Sequence, residues 1–532
     1  MKKIGFLAVV FVFCISIPVT SVFGNEVESI YIINGKQTEI PPDFTSQDDL
    51  KVIKPVSALY NQYIDYPCGY AINYPNHMWV DVTLSLVRTV IADKDTQIEI
   101  YYDNFEGTVH SAESYINYSN RFKYNKEHKI EKDEFIYVNG LRAHLLKWRR
   151  NKCANIKVDK NYYVNVKIVK NRNEVYTIFI KSAEPVQDYM TILRSFKLVD
   201  KKGVSKVYAR YKTTLKNLTE ETNNFLKEYF LESSSLKWGI FEWSTINNFD
   251  FLKSLEERLD YTFEFIVRYQ SFDSSFPETE IINAYNNNKY VELTLQTEHL
   301  FRSDDDSIAI YDILNGKYDA FLNQYAAAIK EFGHPVLFRL NNEMNGDWCS
   351  YSGYYTSNDT ELFKAAWRYI YNLFQKNGVD NVLWVWNPHD ISFPGFKWNH
   401  YLTYYPGDEY VDIIGLTGYN TGTYFKGEVW RSFAEIYSGL YQEYISIFQQ
   451  PFMITEFGSS SIGGDKIAWL KDMFVGIGQF DNIKVAIWWN GIDYDQEGNP
   501  GRIYRLDETD EMIEVFKNGL KYWKAKPAVL GD

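Results

Sequence analysis

Cysteine is scarce in this chain, four residues in 532, and one of them, Cys14, falls in the N-terminal segment. Cys68, Cys153 and Cys349 have no metal-ligand spacing to one another or to a histidine, so the sequence offers no metal site. A Cys68–Cys153 bridge in the N-terminal half stays open, but no disulfide framework holds the fold. Past the N-terminus no apolar run reaches the roughly 20 residues that a membrane span needs. There is no P-loop, and no G-x-G-x-x-G follows the first C-terminal strand, so nucleotide binding has no support and no cofactor is expected. Positive charge is in deficit, with 56 Lys and Arg against 69 Asp and Glu and a net charge of −13. That balance disfavours nucleic acid or an anionic membrane as partner. The basic residues crowd between about Arg121 and Lys237, which reads as solvated faces of a folded domain.

Aromatic residues are in excess at 17%, with 43 Tyr, 35 Phe and 14 Trp. Flat rings stack on sugar faces, and a large core uses them equally, so composition alone only permits a carbohydrate ligand. At the N-terminus two lysines precede an apolar run from Ile4 to about Ile17, then Pro18 and small residues up to Gly24. This predicts a signal peptide, residues 1–24, and a secreted or cell-surface protein, with an uncleaved anchor as the alternative.

The length calls for two domains. From about 30 to 200 the pattern is mostly short strands and turns. Thr96–Tyr102, Tyr162–Ile168 and Glu174–Ile180 alternate with the period of a half-buried strand. Asn139-Gly140 has the chemistry of a hairpin turn. Helical spacing appears only near Ala112–Tyr118 and Val186–Phe196, which predicts an α+β accessory domain. Its opening Gly69–Pro75 and closing Tyr189–Leu198 resemble PsbP-like domains, a likeness that carries no catalytic residues. Residues 201–235 form a charged linker in which Leu218, Thr222, Phe225 and Tyr229 recur at helical spacing.

Beyond Leu236 apolar strands alternate with amphipathic helices, the grammar of a parallel sheet covered on its outside. The strand candidates are Trp238–Phe241, Phe263–Val267, Tyr290–Leu295, Val336–Leu340, Val382–Trp386, Val411–Leu416, Phe452–Thr455 and Val485–Trp489. Eight of them predict an α/β fold of the (β/α)₈ TIM-barrel type over 236–532, with an open doubly wound sheet as the alternative.

Barrel enzymes carry their chemistry at the C-terminal strand ends. At the end of the fourth strand an apolar run gives way to Arg339, Asn341, Asn342, Glu343, Asn345 and Asp347. The seventh ends Thr455-Glu456-Phe457-Gly458. Two carboxyl groups facing one pocket are what glycoside hydrolysis needs, one to protonate the leaving oxygen and one to attack or stabilise the anomeric carbon. Either glutamate alone reads as a surface or capping residue, and only the pair at these two strand ends points to the chemistry.

These segments resemble glycoside hydrolase family 26, the β-mannanase family. Arg339-x-x-x-Glu343-Met344-Asn345-Gly346-Asp347-Trp348 looks like that family's acid/base motif and Thr455–Gly458 like its nucleophile motif. Gly415–Asn420 is similar to the sixth-strand segment whose tyrosine, here Tyr419, bonds the nucleophile. Val385–Pro388 resembles the fifth-strand motif, and Trp488-Trp489-Asn490 the eighth. The resemblance implies a retaining hydrolase of a β-linked polysaccharide such as mannan, with Glu343 as acid/base, Glu456 as nucleophile and no metal. Arg339 would stand near Glu456, while Asn342, Trp348 and Trp488 would bind sugar and Trp489, on the opposite face, would be packing. His389 and Asp390 would line the cleft. Two positions depart from the family: Asn342 stands where mannanases have His, and Thr417 where an acidic residue is common. Both put mannan specificity in question more than hydrolysis. A bacterial exopolysaccharide or cell-wall glycan, or a non-catalytic carbohydrate-binding role, is the rival reading.

Overall fold

The computed structural model describes residues 31–38, 49–233, 235–245, 247–300 and 308–525. The expected signal segment, residues 1–24, lies outside them. Among the described residues no helix is long and apolar enough to cross a membrane.

The N-terminal part is built on two sheets. A nine-stranded sheet runs from the edge strand Lys129–Val138 through Leu141–Arg149, Tyr162–Val169, Glu174–Ser182 and Thr96–Asn104 to four short strands at its far edge. A four-stranded sheet, including Tyr60–Asp65 and Tyr70–Pro75, packs on one face of it. Tyr63, Tyr70 and Ile72 of the smaller sheet meet Ile98, Ile100, Val164, Val166, Ile178 and Ile180 of the larger in one core. Alternation then sends Tyr101, Trp148, Tyr163 and Phe179 to the opposite face. Asn139 and Gly140, with φ of +47° and +83°, form the two-residue turn that sets Val138 opposite Leu141. Helices are short, at Ala112–Ser119 and Tyr189–Ser195. Cys68 and Cys153 do not pair. Cys68 lies against Ser205 at 3.7 Å, and buried Cys153 takes a weak bond from Arg150.

The linker helix Glu220–Leu226 continues into a wider π-turn, Lys227–Leu231. Its Phe225, Tyr229 and Phe230 pack on Phe265, Tyr290, Leu337 and Leu383, which lie at the starts of barrel strands. The linker therefore plugs the N-terminal end of the barrel, leaving the opposite end for chemistry.

Eight parallel strands close the barrel: Lys237–Phe241, Phe265–Gln270, Tyr290–Leu295, Val336–Leu340, Val382–Trp386, Ile413–Asn420, Phe452–Ser459 and Ile483–Trp489. The first pairs with the last from Lys237↔Val485 to Phe241↔Trp489. Phe241, Val267, Val385, Ile413, Met453, Val485 and Ile487 fill the interior. Ile266, Leu293, Phe338, Trp384, Ile414 and Ile454 face outward to the helices. Between the fifth and sixth strands there is no α-helix. Pro394 and Pro406 bracket short 3₁₀ turns at Lys397–Asn399 and Tyr401–Tyr404, since proline cannot supply the helical N–H.

That irregular stretch and the loop after the fourth strand receive the N-terminal domain. Tyr354, Phe396 and Trp398 of the barrel pack with Tyr101, Tyr115, Phe122 and Trp148. Buried Lys181 binds Asp359 at 2.8 Å and Glu99 at 2.7 Å, and Arg88 reaches both Glu99 and Glu361. The two halves share a core and an ion network.

Candidate active site

In the fourth strand Leu337 and Arg339 point inward, so the register that buries the apolar face also drives a guanidinium into the barrel. Arg339 is fully buried, and its Nε and Nη1 are held by partners around it, while its Nη2 has no hydrogen-bond partner among the described residues. Its Nε lies 2.6 Å from Glu292 Oε1 and 2.7 Å from Thr294 Oγ1, and its Nη1 is 2.7 Å from Glu456 Oε1. Burial and the charge of Glu456 push the Glu292 carboxyl up to about 8 against the pull of Arg339.

A bulge aims Glu456. In the seventh strand Ile454 and Phe457 both face the outer helices, three positions apart instead of two, and the register with the neighbouring strands shifts there. The extra residue turns both Thr455 and Glu456 toward the barrel lumen. Tyr419 then donates its O–H to Glu456 Oε2 at 2.8 Å, and Tyr269 donates to the same oxygen at 2.5 Å. Three donors thus converge on this carboxylate.

Glu343 sits on the loop after the fourth strand with φ of +54°, one residue beyond Asn342 and two beyond Asn341, whose φ is +51°. Its N–H donates to the Asn387 carbonyl at 2.8 Å, tying the loop to the fifth strand. Trp348 donates its indole N–H to Glu343 Oε2 at 3.2 Å, and His389 Nε2 lies 3.9 Å from Oε1. Gly346 permits this fold-back, because a Cβ there would come within 2.5 Å of the Trp348 ring. Burial first, and then the charge of Glu456, push the Glu343 carboxyl up to about 7, while His389, Arg339 and Trp348 oppose the shift. Such a group keeps a proton to give near neutrality.

Trp348 is 48% exposed, with His389 and Phe393 ring centroids each 5.3 Å away, and so offers a face to a ligand. Asn342 is buried beside it; its Oδ1 accepts from Gln296 at 3.2 Å and its carbonyl from Tyr351 at 2.7 Å. Asp390 is turned away from the cleft and pairs with Arg431 at 2.6 Å.

Trp488 is not in the cleft. It is fully buried on the outer face of the eighth strand among Phe457, Trp469 and Phe516, and its N–H donates to the Tyr504 carbonyl at 2.9 Å. The inward ring is Trp489, stacked on Phe241 at 5.2 Å and edge-on to Tyr419 at 6.3 Å. Val485 and Ile487 share its inward face, so the strand's period of two places 489, and not 488, toward the lumen. Thr417 likewise stays below the opening, bonded to Asn387 and Thr455. Sequence reasoning missed Tyr269 and Glu292; extending the second strand two residues past its apolar run would have exposed the tyrosine at a strand end.

Residues 277–474, which hold both Glu343 and Glu456, match glycosyl hydrolase family 26. That stretch runs from the helix after the second barrel strand to the helix after the seventh, and is similar to this family. The chain is 30% identical over 284 residues to Endoglucanase H of Acetivibrio thermocellus, across 52% of this chain and 29% of that protein. It is 31% identical over 156 residues to a mannan endo-1,4-beta-mannosidase of Bacillus subtilis, across 28% of this chain and 38% of the other. A beta-1,3-xylanase of Vibrio sp., TXYA, is 29% identical over 111 residues, 20% of this chain and 22% of that one. The matches thus span less than two fifths of each of these relatives.

Proposed function

We propose that this chain is a secreted retaining glycoside hydrolase that cleaves a β-linked polysaccharide, with Glu456 as nucleophile and Glu343 as acid/base. The observation that carries the reading is the contrast between the two carboxyl groups at one barrel mouth. Glu343 is pushed up to about 7 by burial and by its neighbour's charge, and Glu456 collects Arg339, Tyr269 and Tyr419 as donors. Pairs of carboxyls whose environments differ in this way divide acid from nucleophile. In the first step Glu456 attacks the anomeric carbon while Glu343 passes its proton to the departing oxygen. In the second, Glu343 takes a proton from water, whose oxygen displaces Glu456 from the sugar.

A mannan-type substrate is supported by the relative named mannan endo-1,4-beta-mannosidase. A β-glucan is the second reading. It is favoured by the longer similarity to a protein named endoglucanase, and by Asn342 in the place of the mannanase histidine. Export rests on the N-terminal lysines and apolar run.

The test is a product screen over mannan, glucomannan, lichenan, xylan and cellulose, followed by Glu456→Ala on whichever is cleaved. That variant should lose hydrolysis, and azide should restore turnover with inverted product. Near-normal activity of Glu456→Ala without azide sinks the assignment.

A further inference from the structure

The sheet face that receives the barrel continues past helix Ala112–Ser119 as an open shelf. Phe135 and Tyr137 stand on it two residues apart on the edge strand, 53% and 74% exposed, and Tyr124 beside them is 79% exposed. Large exposed aromatics gathered in one place mark a contact surface more often than chance. These rings are backed by cations: the Arg142 guanidinium lies 3.8 Å from the Phe135 ring centroid, and Lys123 Nζ 5.2 Å from that of Tyr124.

Between helix Ala112–Ser119, the turn Arg121–Tyr124 and the edge strand lies a groove lined by Asn117, Tyr118, Tyr124, Asp133, Phe135 and His144. Its floor is hydrogen-bonded in series. Lys123 meets Asp133 at 2.6 Å, Asp133 meets His144 Nε2 at 2.8 Å, and His144 Nδ1 meets Asn120 at 3.2 Å. Buried Lys167 holds Asn120 Oδ1 from below at 2.8 Å. Lys123 and Asp133 cancel one another, and Arg121 and Arg142 remain beside the rings and the fixed polar groups. Rings flanked by fixed hydrogen-bonding groups are the chemistry of a site for a hydroxyl-rich chain.

One wall of the groove is hydrogen-bonded to the loop at the barrel mouth. Tyr118, on its wall, donates to Asp347, the residue before Trp348. Asn125, next to Tyr124, donates to the Tyr355 carbonyl at 3.1 Å, and Tyr355 donates to the Asp347 carbonyl at 2.8 Å. Trp348 in turn touches Glu343.

We infer that the N-terminal domain binds distal sugars of the same polysaccharide that the barrel cleaves, along the groove bearing Tyr124 and Phe135. This rests on the hydrolase reading above. The experiment uses the full chain and the variants Tyr124→Ala, Phe135→Ala and their double. They are assayed on the best-cleaved soluble polysaccharide of the screen and on its tetrasaccharide. The expected result is a KM for the polysaccharide raised about 2- to 10-fold per ring, the scale of one aromatic contact. The kcat on the polysaccharide, kcat/KM on the tetrasaccharide and the melting temperature should stay unchanged. Tyr124→Trp should keep the parental KM. Equal KM on the polysaccharide, or an equal loss on both substrates, overturns the inference while the hydrolase stands. Should the parent cleave nothing, retardation in native gels cast with glucomannan, lichenan or soluble xylan decides. Retardation lost in the double variant supports the groove though the hydrolytic reading fails. Equal retardation, or none for the parent, overturns it.

Discussion

Trp148 of the N-terminal sheet donates its indole N–H at 3.1 Å to the hydroxyl of Ser357, 209 residues away on the barrel loop that begins near Glu343. His128 meets the same hydroxyl at 2.8 Å, and Asn358 donates to the Ser119 carbonyl at 2.6 Å. Ser357 and Asn358 are consecutive left-handed residues, with φ of +63° and +54°. Such conformations persist where their surroundings over-determine them, and here the surroundings belong to the other domain.

The ion network across that boundary should be costly to break. Lys181→Met would leave Asp359 without its cation in a buried setting, where all three side chains are at most 4% exposed, while Glu99 keeps Arg88 as a cation and Gln97 and Tyr101 as donors. Removing one partner of a buried pair costs about 3–5 kcal/mol. Denaturant unfolding of the full chain should show that loss. Adding Asp359→Asn should recover part of it, because asparagine can still accept from the Glu361 N–H at the start of helix Thr360–Lys376 without bringing a charge. No recovery in the double variant would mean that the charge on Asp359 is not the source of the penalty.

Tyr269 and Tyr419 donate to one oxygen of Glu456. A hydrogen bond to a charged group is worth about 1.5–3 kcal/mol, so Tyr269→Phe should lower kcat/KM by about 10- to 150-fold, and Tyr419→Phe similarly. Because both act on Oε2, the double variant should lose less than the product of the two. A Tyr269→Phe enzyme with parental kinetics would remove that residue from the site.

How much of this was legible in the sequence depends on what each residue answers to. Tyr290–Leu295, Val336–Leu340 and Val382–Trp386 begin and end where the apolar pattern does, because a strand buried on both faces is mostly apolar. Glu292, Thr294 and Arg339 interrupt it where they face the site. The sixth and seventh strands run on to Asn420 and Ser459, through the polar residues that form the site. There function overrides the pattern, and the same override hid Tyr269 at the end of the second strand. Lys181 and Asp359 are 178 positions apart, and no local periodicity links them. Glu343 and Glu456 stood out for the opposite reason, since each is an abrupt carboxylate after an apolar run.

Activity should respond to pH through Glu343. Its carboxyl lies near 7 in the folded protein, and only the protonated form can give a proton to the leaving oxygen. Hence kcat/KM should be full below that value and fall about tenfold per pH unit above it. The Trp348 N–H favours the charged form, so Trp348→Phe should raise the Glu343 carboxyl and carry the alkaline limb to higher pH, while a ring remains to stack on sugar. A limb that stays in place or moves down would show that the indole does not act on this group.

The two adjacent tryptophans of the eighth strand should separate stability from catalysis. Trp488 has no exposed surface and fills the space between strand and helices, so Trp488→Phe removes packing and the hydrogen bond to the Tyr504 carbonyl. A large-to-small change in a core that cannot fully collapse costs stability, here about 1–3 kcal/mol for the smaller ring and the lost bond. The ligand never meets that ring, so KM should be parental and the melting temperature lower. Trp489 lies on the lumen side between Phe241 and Tyr419, the tyrosine that bonds Glu456. Trp489→Phe should therefore lower kcat/KM by more than Trp488→Phe does, with a smaller change in melting temperature. The reverse pattern, KM raised by Trp488→Phe and kinetics untouched by Trp489→Phe, would put the strand in the other register and return Trp488 to the cleft.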